Sequence, residues 1–233
     1  MTTRVFVDPA QLQTDDEVGL SADESHYVLR VRRIATGESL EVLDGLGNVR
    51  AGTLARVEGK TCLVRLGPAI VRAPGPARVL LLGRPDPRAA LEALTAASEA
   101  GATHVVLVRT AFAHHAVPSP ARVDKTLRAS QRQCGRPAPP TVEIADDLDE
   151  IVSRDWPTPK FVAEPAAADG RPPQLDTQTG ATVLVGPEGG LTPEEVTRAR
   201  AAGFVPLALS PWILRTQTAV AAALGRLYAP RDA

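Results

Sequence analysis

ATVLVGPEGGLTPEEVTRARAAGFVPLALSPWILRTQTA, residues 181–219, is the stretch on which the fold of this chain turns. Residues 183–185 form a short apolar run and residues 186–190 are rich in glycine. Thr192-Pro193-Glu194-Glu195 then has the order of a helix N-cap, a proline at the first helical position and an acidic first turn. The order is strand, tight loop, helix. At the carboxyl end of a buried strand, such a junction points loop amides and a helix N-terminus at one spot, where α/β sheets bind ligands. Glycine there lets another group approach the backbone. Packing alone also produces glycine-rich turns, and the run is neither GxGxxG nor GxxxxGK(S/T).

Past this helix, Gly203 supplies a stop, residues 204–209 read as a strand, and SPWILRTQTA, residues 210–219, leads into an alanine-rich helix. Two successive strand ends therefore set two unusual loops beside each other. Working back toward the N-terminus, strand-like runs fall at 79–82, 104–108, 142–144, 160–163 and 182–185. Helices open at Asp86-Pro87 and Ser119-Pro120 and stop at Gly101 and Gly135. Six strands spaced by helices predict an α/β domain, with a mostly parallel sheet and helices on both faces.

Residues 4–72 read differently. A first strand at 4–7 is followed by Ser21-x-x-Glu24, a capping box for a short helix through His26 and Val31. Strands at 40–43, 49–57 and 62–66, joined by turns at 44–48 and 58–60, suggest a small β-barrel. The expected division is a barrel at 1–72, a linker at 73–77 within a proline- and glycine-rich stretch, and the α/β domain at 78–233.

The chain has 233 residues, 44% hydrophobic, which suffices for a sizeable core, and no run approaches the ~20 apolar residues of a membrane span. MTTRVFVDPA lacks the apolar segment of a secretory signal, and Cys62 and Cys134 have no partner at ligand spacing, so a cytoplasmic protein with free thiols is expected. No metal site is expected, because the adjacent His114 and His115 point apart and no ligand cluster lies near them in sequence. With 26 basic and 27 acidic side chains, any nucleic acid must be met by local patches. The candidates are Arg30, Arg32 and Arg33, and a second group of Lys125, Arg128, Arg132 and Arg136. Lys125, Arg128 and Arg132 share one helix face. The first group reads more readily as the solvated side of a short helix than as phosphate contacts, and the second reads equally as either.

The loops GPEGG (186–190) and ILRTQTA (213–219), in this order and spacing, resemble the signature of the RsmE-type 16S rRNA (uracil-N3)-methyltransferases of the SPOUT superfamily. HYVLRVRRIATGESLEVLDGLG (26–47) and SQRQCGRP (130–137) are similar to two further stretches of that family. The resemblance implies an N-terminal PUA-like barrel that helps hold rRNA, a SPOUT domain with a deep C-terminal trefoil knot, and a homodimer. It implies S-adenosylmethionine as cofactor and N3 of a uridine in the 16S rRNA of the 30S subunit as the methyl acceptor.

By the same resemblance, the cofactor is surrounded by Val185, Gly186, Pro187, Glu188, Gly189 and Gly190 from the first loop and by Leu209, Ile213, Leu214 and Thr216 from the second. Glu164 is expected near the ribose hydroxyls. Arg215 is the candidate for steering the base or stabilising its charge, a structural salt bridge being the other reading. Glu188 is either the base or a complement to the next helix's N-terminus, and we favour the latter. Gln217 stands where the family commonly has Glu, and residues 98–101 and 111–116 depart from its usual pattern. A SPOUT enzyme acting on another RNA site and a non-catalytic RNA-binding relative are the alternatives.

Overall fold

The computed structural model describes residues 2–14, 16–72, 75–164 and 180–227. Residues 73 and 74 of the expected linker, and Tyr228 at the end of the expected last helix, lie outside them. The described residues form two compact units, one within Met1–Ala73 and Arg128–Pro139, the other within Pro74–Leu127 and Pro140–Ala233.

The first unit is built on β1 (Arg4–Phe6), β2 (Glu17–Gly19), β3 (Ser39–Leu43), β4 (Val49–Glu58) and β5 (Thr61–Ala69), with α1 (Pro9–Thr14) and α2 (Ala22–His26) between the early strands. The sheet order is β1-β3-β4-β5-β2, with β1 parallel to β3 and the other pairs antiparallel. At the β3–β4 turn, the Asp44 carboxylate accepts the amides of Leu46, Gly47 and Asn48 at 2.7, 3.0 and 3.0 Å, which is why an aspartate opens it. Two register shifts between β4 and β5 add local twist and curl the sheet. Among the described residues β1 and β2 form the two edges of the sheet, so the result is a curled half-barrel where a small barrel was expected.

The capping box at Ser21 is also only half formed. Ser21 Oγ accepts the Glu24 amide at 3.3 Å, but the Glu24 carboxylate turns away to accept the Phe6 amide at 3.2 Å and to pair with Arg132. A partly buried carboxylate gains more from a guanidinium than from an exposed amide. The helix expected through Val31 becomes a π-helical turn, Tyr27–Arg32, closed by Arg33 in the left-handed region at φ +55°. The elements α1 and β2 escaped sequence reading because QLQT and DDEVG are short and polar.

Cys62 lies in the core of this unit with Val5, Val28, Val42 and Val64, and burial pushes its thiol above the ordinary value. Cys134 is exposed. In the native protein at neutral pH, a chromogenic disulfide reagent is expected to titrate one thiol promptly and the second only after unfolding. A raised pKa means stabilisation that is complete below the unfolded thiol's pKa and is lost as pH rises through the folded value, so stability falls on the alkaline side. Two equally fast thiols would contradict this.

The second unit is a six-stranded, all-parallel sheet of β6 (Arg78–Gly83), β7 (His104–Val108), β8 (Thr141–Ala145), β9 (Lys160–Ala163), β10 (Ala181–Val185) and β11 (Val205–Leu207), in the order β11-β9-β10-β6-β7-β8. Its helices are α3 (Pro87–Glu99), α4 (Pro120–Cys134, grouped with the first unit from Arg128), α5 (Leu148–Ser153), α6 (Pro193–Ala201) and α7 (Thr216–Arg226). Both faces are covered. Leu80, Leu82, Val183 and Val185 pack with Leu94 of α3 and Leu224 of α7, while Val79, Leu81 and Leu184 pack with Ile151 of α5 and Ala199 of α6. Alternate residues of continuous apolar runs thus serve opposite faces. The last strand ends at Leu207, not at residue 209, which releases Leu209 into a loop.

Candidate functional site

Three neighbouring strands, β9, β10 and β11, end on the same edge of the parallel sheet, and the loops that follow them enclose a cleft of about 640 Å³. That is a volume suited to a small organic ligand. Ala163 and Glu164 enter from β9, residues 185–190 from β10, and Leu209, Ile213 and Leu214 from the segment after β11. Ten of the eleven residues assigned to the cofactor from sequence therefore line one cavity. Thr216 does not.

The first loop turns tightly. The Gly190 amide donates to the Pro187 carbonyl at 2.8 Å, and Gly190 sits at φ +76°, a conformation that favours glycine. A β-carbon on Gly186 would lie 2.8 Å from the Gly190 carbonyl carbon and 3.0 Å from its α-carbon. Glycine here lets the loop's two ends touch.

The helix that follows is capped as the sequence predicts, and more strongly. Thr192 Oγ1 accepts the Glu195 amide at 3.2 Å while Glu195 accepts the Thr192 amide at 2.8 Å, completing a capping box. The buried Glu195 carboxylate also accepts the Ala111 amide at 2.7 Å, which ties the 111–116 segment to the base of the glycine-rich loop. Glu194 is held below the ordinary carboxylate range by a bond from its own amide and then by the Thr192 hydroxyl. With Glu194 and Glu195 already at this N-terminus, Glu188 is exposed and makes no hydrogen bond or ion pair among the described residues.

Glu164 accepts a two-pronged contact from Arg200, whose Nη2 lies 2.8 Å from both carboxylate oxygens. Arg200 itself lines the cleft, as do Val196 and Thr197 of α6. Sequence reasoning missed these three, because the Glu164–Arg200 pair spans 36 positions and follows no local spacing.

A second cleft of about 520 Å³ shares Glu188, Ile213 and Leu214 with the first. Asp86 and Glu92 of the α3 segment line it from one side, Arg215, Thr216 and Gln217 from the other. Arg215 occupies the N-cap of α7 without a side-chain capping bond, and the Thr216 hydroxyl is buried with no partner among the described residues. Asp86 is committed as the cap of α3: its carboxylate accepts the amides of Arg88 and Ala89 at 2.9 and 3.1 Å, and the Ala89 bond foremost holds its pKa low.

The basic candidates are divided between the units. Arg30 and Arg33 are exposed, and Arg32 donates to Thr3 Oγ1 at 3.1 Å. Lys125 is exposed in the second unit, whereas Arg128, Arg132 and Arg136 fall in the first. Arg132 pairs with Glu24 and stacks over Tyr27 at 4.3 Å, Arg128 lies 5.5 Å from the centre of the Phe6 ring, and Arg136 donates to the Ala138 carbonyl at 2.5 Å. Burial lowers the Arg136 pKa.

Residues 73–228 match a family model described as an RNA methyltransferase domain, and residues 20–67 match one described as an RNA methyltransferase PUA domain. The chain is 30% identical over 238 residues to ribosomal RNA small subunit methyltransferase E of Mycobacterium bovis, an alignment covering 88% of this chain and 84% of the relative. Among solved structures, it matches a protein from Legionella pneumophila, described as a methyltransferase in complex with the bound cofactor SAM, at 25% identity and a TM-score of 0.78 over 97% of both chains. It also superposes on ribosomal RNA small subunit methyltransferase E of Neisseria gonorrhoeae, bound to S-adenosyl methionine, with a TM-score of 0.79 and 23% identity over 96% of this chain and 95% of that one.

Proposed function

Because the chain belongs to the RNA methyltransferase family, with relatives named ribosomal RNA small subunit methyltransferase E, we propose that it methylates N3 of a uridine in 16S rRNA with S-adenosylmethionine. The observation that carries this reading is the cleft at the ends of β9, β10 and β11, walled by both signature loops. The residues fit the cofactor. A cradle closed by Gly186 and Gly190 offers main-chain amides, Leu209, Ile213 and Leu214 offer apolar wall, and Glu164 keeps acceptor capacity for ribose hydroxyls beside Arg200. When bound, S-adenosylmethionine supplies a methyl group already activated on a sulfonium. What remains for the protein is to align the acceptor base and manage the proton and charge on it. In this reading Arg215, which lines the second cleft, holds negative charge on a uracil carbonyl.

The curled sheet of the first unit, together with the match to a PUA domain, supports an RNA-holding role for residues 1–72, with 73–77 as linker and 78–233 as the catalytic domain. In this reading the exposed phosphate contacts are Arg30, Arg33 and Arg128 in the first unit and, separately, Lys125 in the second, with Arg32, Arg132 and Arg136 supporting those of the first unit. The resemblance of the two signature loops to the SPOUT family supports a C-terminal trefoil knot. Trp212 and Ile213, exposed at 75% and 87%, supply apolar area for a second copy. An rRNA substrate supports a cytoplasmic location.

The test is to incubate purified protein and labelled S-adenosylmethionine with 30S subunits from cells lacking the activity, and to identify the labelled nucleoside by mass spectrometry. N3-methyluridine in 16S rRNA is the expected product. Label on another nucleoside overturns the substrate assignment, and cofactor binding without transfer overturns the activity.

A further inference from the structure

The second cleft adjoins the cofactor cleft and shares one charged residue with it, Glu188. Of the carboxylates lining it, Asp86 is committed to two amides and Glu92 pairs with Arg88 at 2.9 Å. Glu188 is the carboxylate left without a partner among the described residues, and it stands on the wall between the two cavities. The same cleft is lined by the N-terminus of α7, whose first amides have no intrahelical acceptor and whose N-cap, Arg215, adds no side-chain bond. Thr216, 4% exposed, lines the cleft at that point, with its hydroxyl unpartnered. A buried hydroxyl without a partner is costly unless a ligand completes it. The cleft therefore combines a free proton acceptor, shared with the cofactor cleft, with an array of donors carrying a partial positive charge.

We propose that the second cleft receives the acceptor uracil, with Glu188 as the catalytic base at N3 and the Thr216 end of α7 binding the carbonyl oxygen on which charge develops. This rests on the function proposed above and names the subsite and the residues that serve it. Uracil carries its N3 proton between two carbonyl oxygens, so an acceptor facing N3 and donors facing an adjacent oxygen match its edge. The N3 proton passes to the Glu188 carboxylate, the freed pair on N3 bonds the methyl carbon, and the pair of the broken carbon–sulfur bond leaves with sulfur. Glu188 thus has the chemical role, and Thr216, assigned to the cofactor by resemblance, instead serves the base. The complement to the α6 N-terminus comes from Glu194 and Glu195.

The experiment compares the full-length wild type, Glu188→Gln, Glu188→Asp and Thr216→Val in two measurements: the dissociation constant for S-adenosylhomocysteine by calorimetry, and kcat for methylation of 30S subunits. Glu188→Gln is expected to lower kcat by about 10²-fold or more, with Glu188→Asp recovering part of the loss. Thr216→Val, close in shape, is expected to lower kcat by about tenfold. Affinity for S-adenosylhomocysteine should stay within about twofold in Thr216→Val, which lines only the second cleft, and within about tenfold in the Glu188 variants, since Glu188 also borders the cofactor cleft. Full turnover by Glu188→Gln, or a Thr216→Val variant that loses affinity for S-adenosylhomocysteine, overturns the proposal while leaving the function intact. A wild type that forms no N3-methyluridine overturns the functional reading, and the proposal with it.

Discussion

Replacing Glu195 by alanine is expected to destabilise the second unit by about 2–4 kcal/mol, the combined cost of a lost helix cap and of losing two part-buried hydrogen bonds, which leaves a buried site empty. The side chain is 3% exposed and accepts from two backbone amides that are 84 positions apart at the far contact, Ala111, and three apart at the near one, Thr192. Its removal therefore both frays the start of α6 and frees the 111–116 segment from the glycine-rich loop. Glu195→Gln keeps one acceptor oxygen and should lose about half as much. Urea denaturation reads the stability. Hydrogen exchange reads the Ala111 amide, which should exchange faster in Glu195→Ala than anywhere else outside α6. A midpoint unchanged in Glu195→Ala would show that the carboxylate carries no such load.

Gly186→Val is the second large effect, and it falls on ligand affinity. The β-carbon would meet backbone, the Gly190 carbonyl carbon at 2.8 Å and its α-carbon at 3.0 Å, and backbone in a closed turn cannot swing aside. Overpacking of about 3 kcal/mol, spent on reopening the loop, corresponds to about a 10²-fold weaker dissociation constant for S-adenosylhomocysteine. Gly189→Ala provides the contrast. Its β-carbon would meet the side chain of Phe112 at 2.9 Å, and Phe112 is half exposed and free to move. A loss within about tenfold is expected there. Should Gly186→Val bind as tightly as the wild type, the glycine-rich loop does not form the cofactor's cradle.

Much of the second unit was legible because its signals are local. Continuous apolar runs mark strands buried on both faces, Asp86-Pro87 and Thr192-Pro193 mark helix starts, and all six strand positions were readable from them. The first unit was less so. Its α1 and β2 are short and polar, and its β1 pairs in parallel with β3 across more than thirty residues, which no turn signal announces. Glu24 shows the difference at one residue: spacing alone predicts a reciprocal cap, yet the carboxylate goes to Phe6 and Arg132, 108 positions away, where burial strengthens the ion pair.

The candidate site divides along the same line. By itself the amino-acid sequence determined the two loops, their order, and the glycines and helix starts that shape them, because turn geometry and capping depend on neighbours in the chain. Only the tertiary structure decided that Arg200 meets Glu164, that Glu195 relieves Glu188 of the helix terminus, and that Thr216 lines a second cleft with Arg215 and Gln217 and not the first. These outcomes depend on which loops the parallel sheet brings to one edge, and that juxtaposition has no period or spacing from which to be read.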